Sequence, residues 1–219
     1  MERVPLERKV LSENDRIAAG LREEFRKRGI LALNFISSPG SGKTALLERT
    51  LEGFPKGTRA AVLTGDIQTD NDATRLGRYG YPVRQITTAG ACHLDARMVE
   101  RALEGWDLGL LDILLIENVG NLVCPTSYDL GEDGKIVVLS VTEGEDKPLK
   151  YPGIFHKAEL MVLNKIDLLP YVPFKRELAR KYANQVHAGI GILEVSCTTC
   201  EGLDRWQEWL AKRRVGAAC

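Results

Sequence analysis

Histidine and cysteine are scarce in this chain of 219 residues, with three of the first and five of the second. So small and odd a cysteine count is no disulfide framework, and free thiols or metal ligands are expected instead. Excess charge of either sign is missing, because 30 Lys+Arg stand against 30 Asp+Glu. A broad nucleic-acid footprint, which needs clustered surplus cations, is therefore not expected. No apolar run reaches the roughly 18–20 residues that cross a bilayer. The opening stretch Met1-Glu-Arg-Val-Pro-Leu-Glu-Arg-Lys9 carries charge where an export signal needs apolar residues, so a cytoplasmic location without membrane attachment is expected. Repeats, low-complexity tracts and linkers are also lacking, which leaves one domain over residues 1–219. A charged fraction of 27% and a hydrophobic fraction of 44% suit a globular α/β protein.

Hydrophobic periodicity alternates along the chain. A helix is expected over about 11–29, capped by Ser12 with Asp15, burying Ile17, Leu21 and Phe25, and stopped at Gly29. Short runs at 30–36, 60–64, 83–87, 112–116, 136–141, 160–163 and 190–195, most of them apolar, read as strands. Helical stripes fall between most of them, among them Leu46, Leu47 and Leu51; Leu94, Met98 and Ala102; and Leu203, Trp206 and Leu210. Strands alternating with helices imply crossover units and a mostly parallel central sheet with helices on both faces.

Between the first strand and its helix lies Ser37-Ser-Pro-Gly-Ser-Gly-Lys-Thr44, a Walker A phosphate loop in the context such a loop requires. Gly40 and Gly42 let backbone N–H groups converge on phosphate, Lys43 brings a cation to the β- and γ-phosphates, and Thr44 offers a hydroxyl to Mg²⁺. Pro39, Ser41 and Ala45 complete the cradle at the helix N-terminus. Ser37 stands where the pattern has its first glycine. Asp112-Ile-Leu-Leu-Ile-Glu117 is an apolar strand ending in a carboxylate, and Gly65-Asp66 ends another, so Glu117 and Asp66 are the expected acids for Mg²⁺ or the attacking water. Asp70 and Asp72 read as caps of the next helix.

Asn164-Lys-Ile-Asp167 follows a predicted strand. A carboxylate there accepts both N1–H and the 2-amino group of guanine, whereas adenine would leave it unpaired. Lys165 can lie along the base, Asn164 can tie loops together, and the backbone of Ser196-Cys197 can meet O6. Cys197-Thr-Thr-Cys200 has the spacing of a redox pair or half a zinc site, although its place in the base loop favours a structural part. His156, His187 and Cys219 carry no partner at ligand spacing, and Trp206 and Trp209 read as helix packing. Cys92-His93 opens a predicted helix and Cys124 follows the Glu117 strand. If those two strands are neighbours, two thiolates and an imidazole meet, a donor set suited to Zn²⁺ or Ni²⁺ and a poor match for Mg²⁺. Spacing alone leaves this beside the plainer reading of a buried cysteine and a surface histidine.

These motifs, with Gly65-Asp-Ile-Gln-Thr-Asp-Asn-Asp72, Gly90-Ala-Cys-His-Leu-Asp-Ala96, Ile116-Glu-Asn-Val-Gly-Asn-Leu-Val-Cys124 and Val141-Thr-Glu-Gly-Glu-Asp-Lys-Pro148, closely resemble the HypB family of nickel-incorporation GTPases. The resemblance runs from about Asn14 onward. It implies a SIMIBI-class P-loop GTPase that binds GTP or GDP with Mg²⁺, hydrolyses GTP slowly and dimerises with nucleotide. It further implies delivery of Ni²⁺, in concert with a nickel/zinc maturation protein, to the [NiFe]-hydrogenase large-subunit precursor. The family's transition-metal ligands fall on Cys92, His93 and Cys124, and its catalytic groups on Lys43, Asp66 and Glu117. Family glycine falls where Cys200 stands, and the Cys-rich and His-rich N-terminal nickel tracts of some members do not occur in residues 1–91. The readings that compete are a nickel GTPase for urease or another metalloenzyme, a small-metabolite P-loop kinase, and a zinc-stabilised scaffold. The kinase leaves Asn164–Asp167 and Cys92-His93 unexplained.

Overall fold

The computed structural model describes residues 6–66, 71–88 and 90–217. Strand β1 (Leu31–Ser37) is buried along its whole length, so both of its faces must be covered. Around it lie β2 (Ala60–Asp66), β3 (Val83–Thr87), β4 (Ile113–Glu117), β5 (Gly134–Ser140), β6 (Leu160–Asn164) and β7 (Gly191–Glu194). Their order across the sheet is β3-β2-β4-β1-β5-β6-β7, and every pairing is parallel.

Alternation along the strands builds two apolar layers. Leu31, Leu33 and Phe35 join Ile113 and Leu115 on one side, under α2 (Lys43–Glu52), α3 (Asn71–Gly77) and α8 (Leu203–Ala217). Ala32, Leu114 and Ile116 face the other side, under α1 (Leu6–Arg28) and α4 (Ala96–Leu103). Ile36, Val137 and Leu139 extend that second layer beneath α6 (Pro152–Lys157) and α7 (Arg176–Val186). Between α4-side and α6-side clusters sits Asn34, fully buried in mid-strand.

Several sequence expectations need correction. Helix α1 begins at Leu6, not near residue 11, so Ser12 lies inside it and not at its N-terminus. Its stop is as expected: Gly29, at φ +66°, donates to Arg26 O while Ile30 N–H reaches Phe25 O at 2.9 Å, the paired bonds of a Schellman ending. Helix α4 starts only at Ala96, because the Asp95 carboxylate caps it by accepting Met98 N–H. Cys92 and His93 therefore precede the helix, and Leu94 is off its face. The stretch after β5 holds two helices the periodicity did not reveal, α5 (Lys147–Lys150) and α6, each one turn or so long with proline in its first turn. Segments that short carry no readable period. Asn164 ends β6 instead of following it.

Trp206, 0% exposed, donates from Nε1 to Thr50 Oγ1 at 2.8 Å, meets Phe35 edge-on and stacks on Trp209. It pins α8 to α2 and β1. Trp206→Ala is expected to lower unfolding free energy by about 3–5 kcal/mol, read from urea titrations followed by circular dichroism.

Candidate functional site

The sheet's parallel sense brings the carboxyl ends of β1, β2 and β4 to one edge, where ligands of open α/β sheets bind. A cleft of about 530 Å³ opens there, lined by Gly40, Gly42, Lys43, Thr44, Asp66, Asp72, Arg75, Glu117 and Lys165 among others. Gly42 is at φ +95°, and a Cβ on it would stand 2.4 Å from Asn164 Nδ2, so only glycine lets the two loops approach. Lys43 is buried and its Nζ donates to Ser37 Oγ at 2.9 Å. The residue that departs from the glycine pattern thus holds the lysine in place. Burial pulls the Lys43 ammonium below its usual range, against the pull of Glu117, Asp72, Glu143 and Asp66.

Glu117 is 4% exposed. Thr44 Oγ1 donates to its Oε1 at 2.8 Å, while its buried Oε2 has no hydrogen-bond partner among the described residues. Burial lifts the Glu117 carboxyl to about 7, against the attraction of Lys43 and the Thr44 hydrogen bond. A divalent cation against Oε2 would satisfy this oxygen. Asp66 lines the same cleft. Asp72 is a correction: it lies within the first turn of α3, faces the cleft and is 3.6 Å from Arg75. Asp70 lies outside the described residues, as does Cys219. Sequence reading missed Arg75, whose guanidinium grips the Glu48 carboxylate at 2.5 and 3.1 Å.

The second loop converges from β6. Lys165 takes a left-handed backbone at φ +63°, its N–H donates to Asn164 Oδ1 at 2.8 Å, and its Nζ reaches Gly40 O at 2.8 Å. Asn164 Nδ2 donates to Ser41 O at 3.0 Å. Asp167 accepts from Ser196 Oγ at 2.5 Å, and that hydroxyl in turn accepts Thr198 and Thr199 N–H. Cys197 Sγ donates to Asn164 Oδ1 at 3.4 Å. Asn164, Lys165, Asp167, Ser196 and Cys197 are therefore one bonded unit around the place a base would occupy. A further brace escaped the sequence: Ser41 Oγ donates to Glu143 Oε1 at 2.7 Å and Lys147 Nζ to Ser38 Oγ at 3.1 Å.

Cys92, His93 and Cys124 come together, with all their ligand atoms within 4.8 Å of one another and the two sulfurs 2.7 Å apart. They do so although β3 and β4 are not neighbours, since β2 lies between them; the loops themselves close the distance. His93 stacks on Tyr128 with centroids 3.9 Å apart, and burial keeps its imidazole below the usual value, the neutral form that a metal requires. The Cys92 hydrogen bond, then burial, raises the Cys124 thiol. His156 and His187 stand apart from this cluster, their rings 6.0 Å from each other.

Two asparagines join cluster and cleft. Asn118, 1% exposed and next to Glu117, accepts Leu94 N–H at 3.1 Å and donates to Asn34 Oδ1 at 3.2 Å. Asn34 passes the chain to Glu132, which pairs with Lys135. Asn121 Nδ2 donates to Cys92 O at 3.3 Å. The one readable signal was Asn34, a polar residue inside an apolar run.

A central parallel sheet with a phosphate loop after β1 defines a P-loop nucleotide-binding domain, and the model of the CobW/HypB/UreG nucleotide-binding domain matches residues 32–194. The hydrogenase maturation factor HypB of Escherichia coli K12 is 51% identical over 205 residues, covering 94% of this chain and 71% of that protein. The crystal structure of HypB from Helicobacter pylori in complex with nickel superposes with a TM-score of 0.88 at 39% identity, covering 93% of this chain and 96% of the other. HypB from Archaeoglobus fulgidus gives 0.86 at 38%, covering 93% and 99%. The chain belongs to the HypB family of hydrogenase maturation factors.

Asn118→Ala strips the partner from a buried Leu94 N–H and from Asn34. A loss of about 2–3 kcal/mol in stability is expected, with faster hydrogen exchange at the Leu94 amide as the local signature.

Proposed function

We propose that this chain is a GTP-binding, GTP-hydrolysing metallochaperone that serves nickel insertion into the [NiFe]-hydrogenase precursor, working as one GTPase domain in the cytoplasm. The observation that carries the reading is a single segment, 117–124, with one end in the phosphate cleft and the other in a thiolate–imidazole cluster. Lys43, Thr44 and the loop N–H groups would hold the phosphates, and Asp167 would accept both guanine donors. The free Glu117 Oε2 and the Thr44 hydroxyl, with Asp66 in the same cleft, fit Mg²⁺, which when bound neutralises developing phosphate charge. Asp66 and Glu117 would orient the attacking water, and Lys43 would follow the charge onto the leaving group.

Nickel is the cargo in this reading, with zinc its chemical competitor. Three ligands leave a tetrahedral site incomplete. Val123, 61% exposed beside Cys124, gives the cluster an apolar neighbour and supports completion by a second copy of the chain in a nucleotide-promoted homodimer. A nickel/zinc maturation protein and the hydrogenase large-subunit precursor are the proposed partners, and neither nucleic acid nor membrane has a part. Turnover is slow because the guanidinium in the cleft, Arg75, is committed to Glu48 and Asp72 and does not serve as an arginine finger.

Cys92→Ala and Cys124→Ala should each abolish tight Ni²⁺ binding in a competition titration, and undiminished affinity in both would end the metal assignment. Because the thiols must shed protons to bind, and that of Cys124 is raised, Ni²⁺ affinity in the parent should fall as pH drops from 8 to 6.5, by up to about tenfold per unit for each proton displaced. Asp167→Asn should weaken GDP binding about 100-fold by calorimetry, since an amide cannot accept both guanine donors. Single-turnover GTP hydrolysis by the parent should run below about 10⁻² per second.

A further inference from the structure

We propose that Cys197 and Cys200 form a thiol–disulfide exchange site on the base-binding loop, with a small disulfide of the glutathione kind as its reactant. Only the consequence for nucleotide rests on the reading above; the exchange chemistry stands on the loop itself.

The loop between β7 and α8 is pinched where Ser196 N–H donates to Glu201 O at 2.9 Å, and both cysteines lie one residue inside that pinch. Four residues run from Cys197 to Cys200, and a four-residue turn can bring its end Cα atoms within about 7 Å, the range in which a disulfide forms. Cys200 is exposed and sits at φ +66°, a backbone that glycine adopts freely and other residues adopt under strain. Strain of this kind is a pointer to function when it falls at a site. Arg49 donates to Cys197 O at 2.8 Å and lies within electrostatic reach of the Cys200 sulfur. That cation is itself paired with Glu52 at 2.6 Å, so it is exposure that makes Cys200 the accessible thiol. Cys197 is its opposite: half-buried, bonded to Asn164 Oδ1, and pushed by burial to about 11. Cys200 is thus the attacking thiol and Cys197 the resolving one.

In the first step the Cys200 thiolate attacks one sulfur of the small disulfide, whose S–S bond breaks and releases one thiolate to take a proton from water. Cys197 then yields its proton to solvent and attacks Cys200 Sγ, expelling the second small thiol. Two protein thiols are oxidised and one small disulfide is reduced to two thiols. Cys197 Sγ must leave Asn164 Oδ1, the oxygen that also orients the Lys165 N–H, so the base pocket loosens.

The test incubates the whole protein in glutathione disulfide-rich buffer and follows two quantities. One is the mass of tryptic peptide 182–205, which contains both cysteines and neither Cys92 nor Cys124. The other is the Kd for GDP. The peptide should become lighter by two hydrogens and the Kd should rise about tenfold, the worth of a buried hydrogen bond, with both reversed by a dithiol. Cys200→Gly, which suits the left-handed backbone, should bind GDP as the parent does and ignore the oxidant. A peptide that stays reduced overturns the proposal. So does a Kd that does not move once the disulfide has formed, or one that rises equally in Cys200→Gly. Absence of GDP binding by the reduced parent would instead sink the nucleotide reading, and the peptide mass would still decide the exchange chemistry.

Discussion

The buried carboxylate of Glu117 is the constraint around which the site is arranged. An acid at the end of a fully apolar strand is costly to ionise, and a single hydrogen bond from Thr44 does not offset that cost. The remainder must come from Lys43 and from whatever occupies the cleft. The same carboxylate begins the segment that supplies Asn118, Asn121 and Cys124. Any shift of Glu117 toward a ligand therefore pulls directly on the backbone that carries half of the sulfur cluster. Coupling of two sites needs an element that both can bias, and this segment is the physical candidate for it.

Around that element the loops are tied by side chains more than by backbone. Asn164 spans the phosphate loop and the base loop, Lys165 reaches Gly40, and Glu143 with Lys147 props Ser41 and Ser38 from a third loop. Each tie is a hydrogen bond of modest net worth, and the buried one, from Asn164 to Ser41 O, also satisfies a carbonyl shielded from water. The base-reading and phosphate-holding loops thus reach one geometry together. The Ser37 hydroxyl belongs to the same design: it parks Lys43 where a glycine could not.

Much of this was readable from the chain. Most strands announced themselves by apolar runs, since a doubly covered strand must be apolar throughout, and all seven were found with boundaries off by at most two residues, although the edge strands β3 and β7 are only partly buried. Short spaced motifs are legible for a related reason: each gathers particular residue types close together in sequence. The errors share a cause as well. Ser12 was taken for a cap because a capping pattern can occur within a helix, where only the preceding turn decides its meaning. Cys92 was placed at a helix start because the real cap, Asp95, competes from three residues away. Arg75 reaches Glu48 across 27 residues of sequence, a contact that no local pattern encodes, whereas its pair with Asp72 is only three residues apart.

What the residues determined unaided were the alternation of strand and helix, the phosphate-loop pattern, the Asn164–Asp167 tetrapeptide at a strand end and the kinds of donor available to a metal. Local chemistry suffices for these, since each depends on neighbours within a few residues. Folding alone settled which strands touch, that Cys92 and His93 meet Cys124 across an intervening strand, and that Asn118 and Asn121 bridge cleft to cluster, with Asn34 bonded behind Asn118. Those contacts join residues tens of positions apart, and their distances follow from strand order and helix packing, quantities set by the whole chain at once.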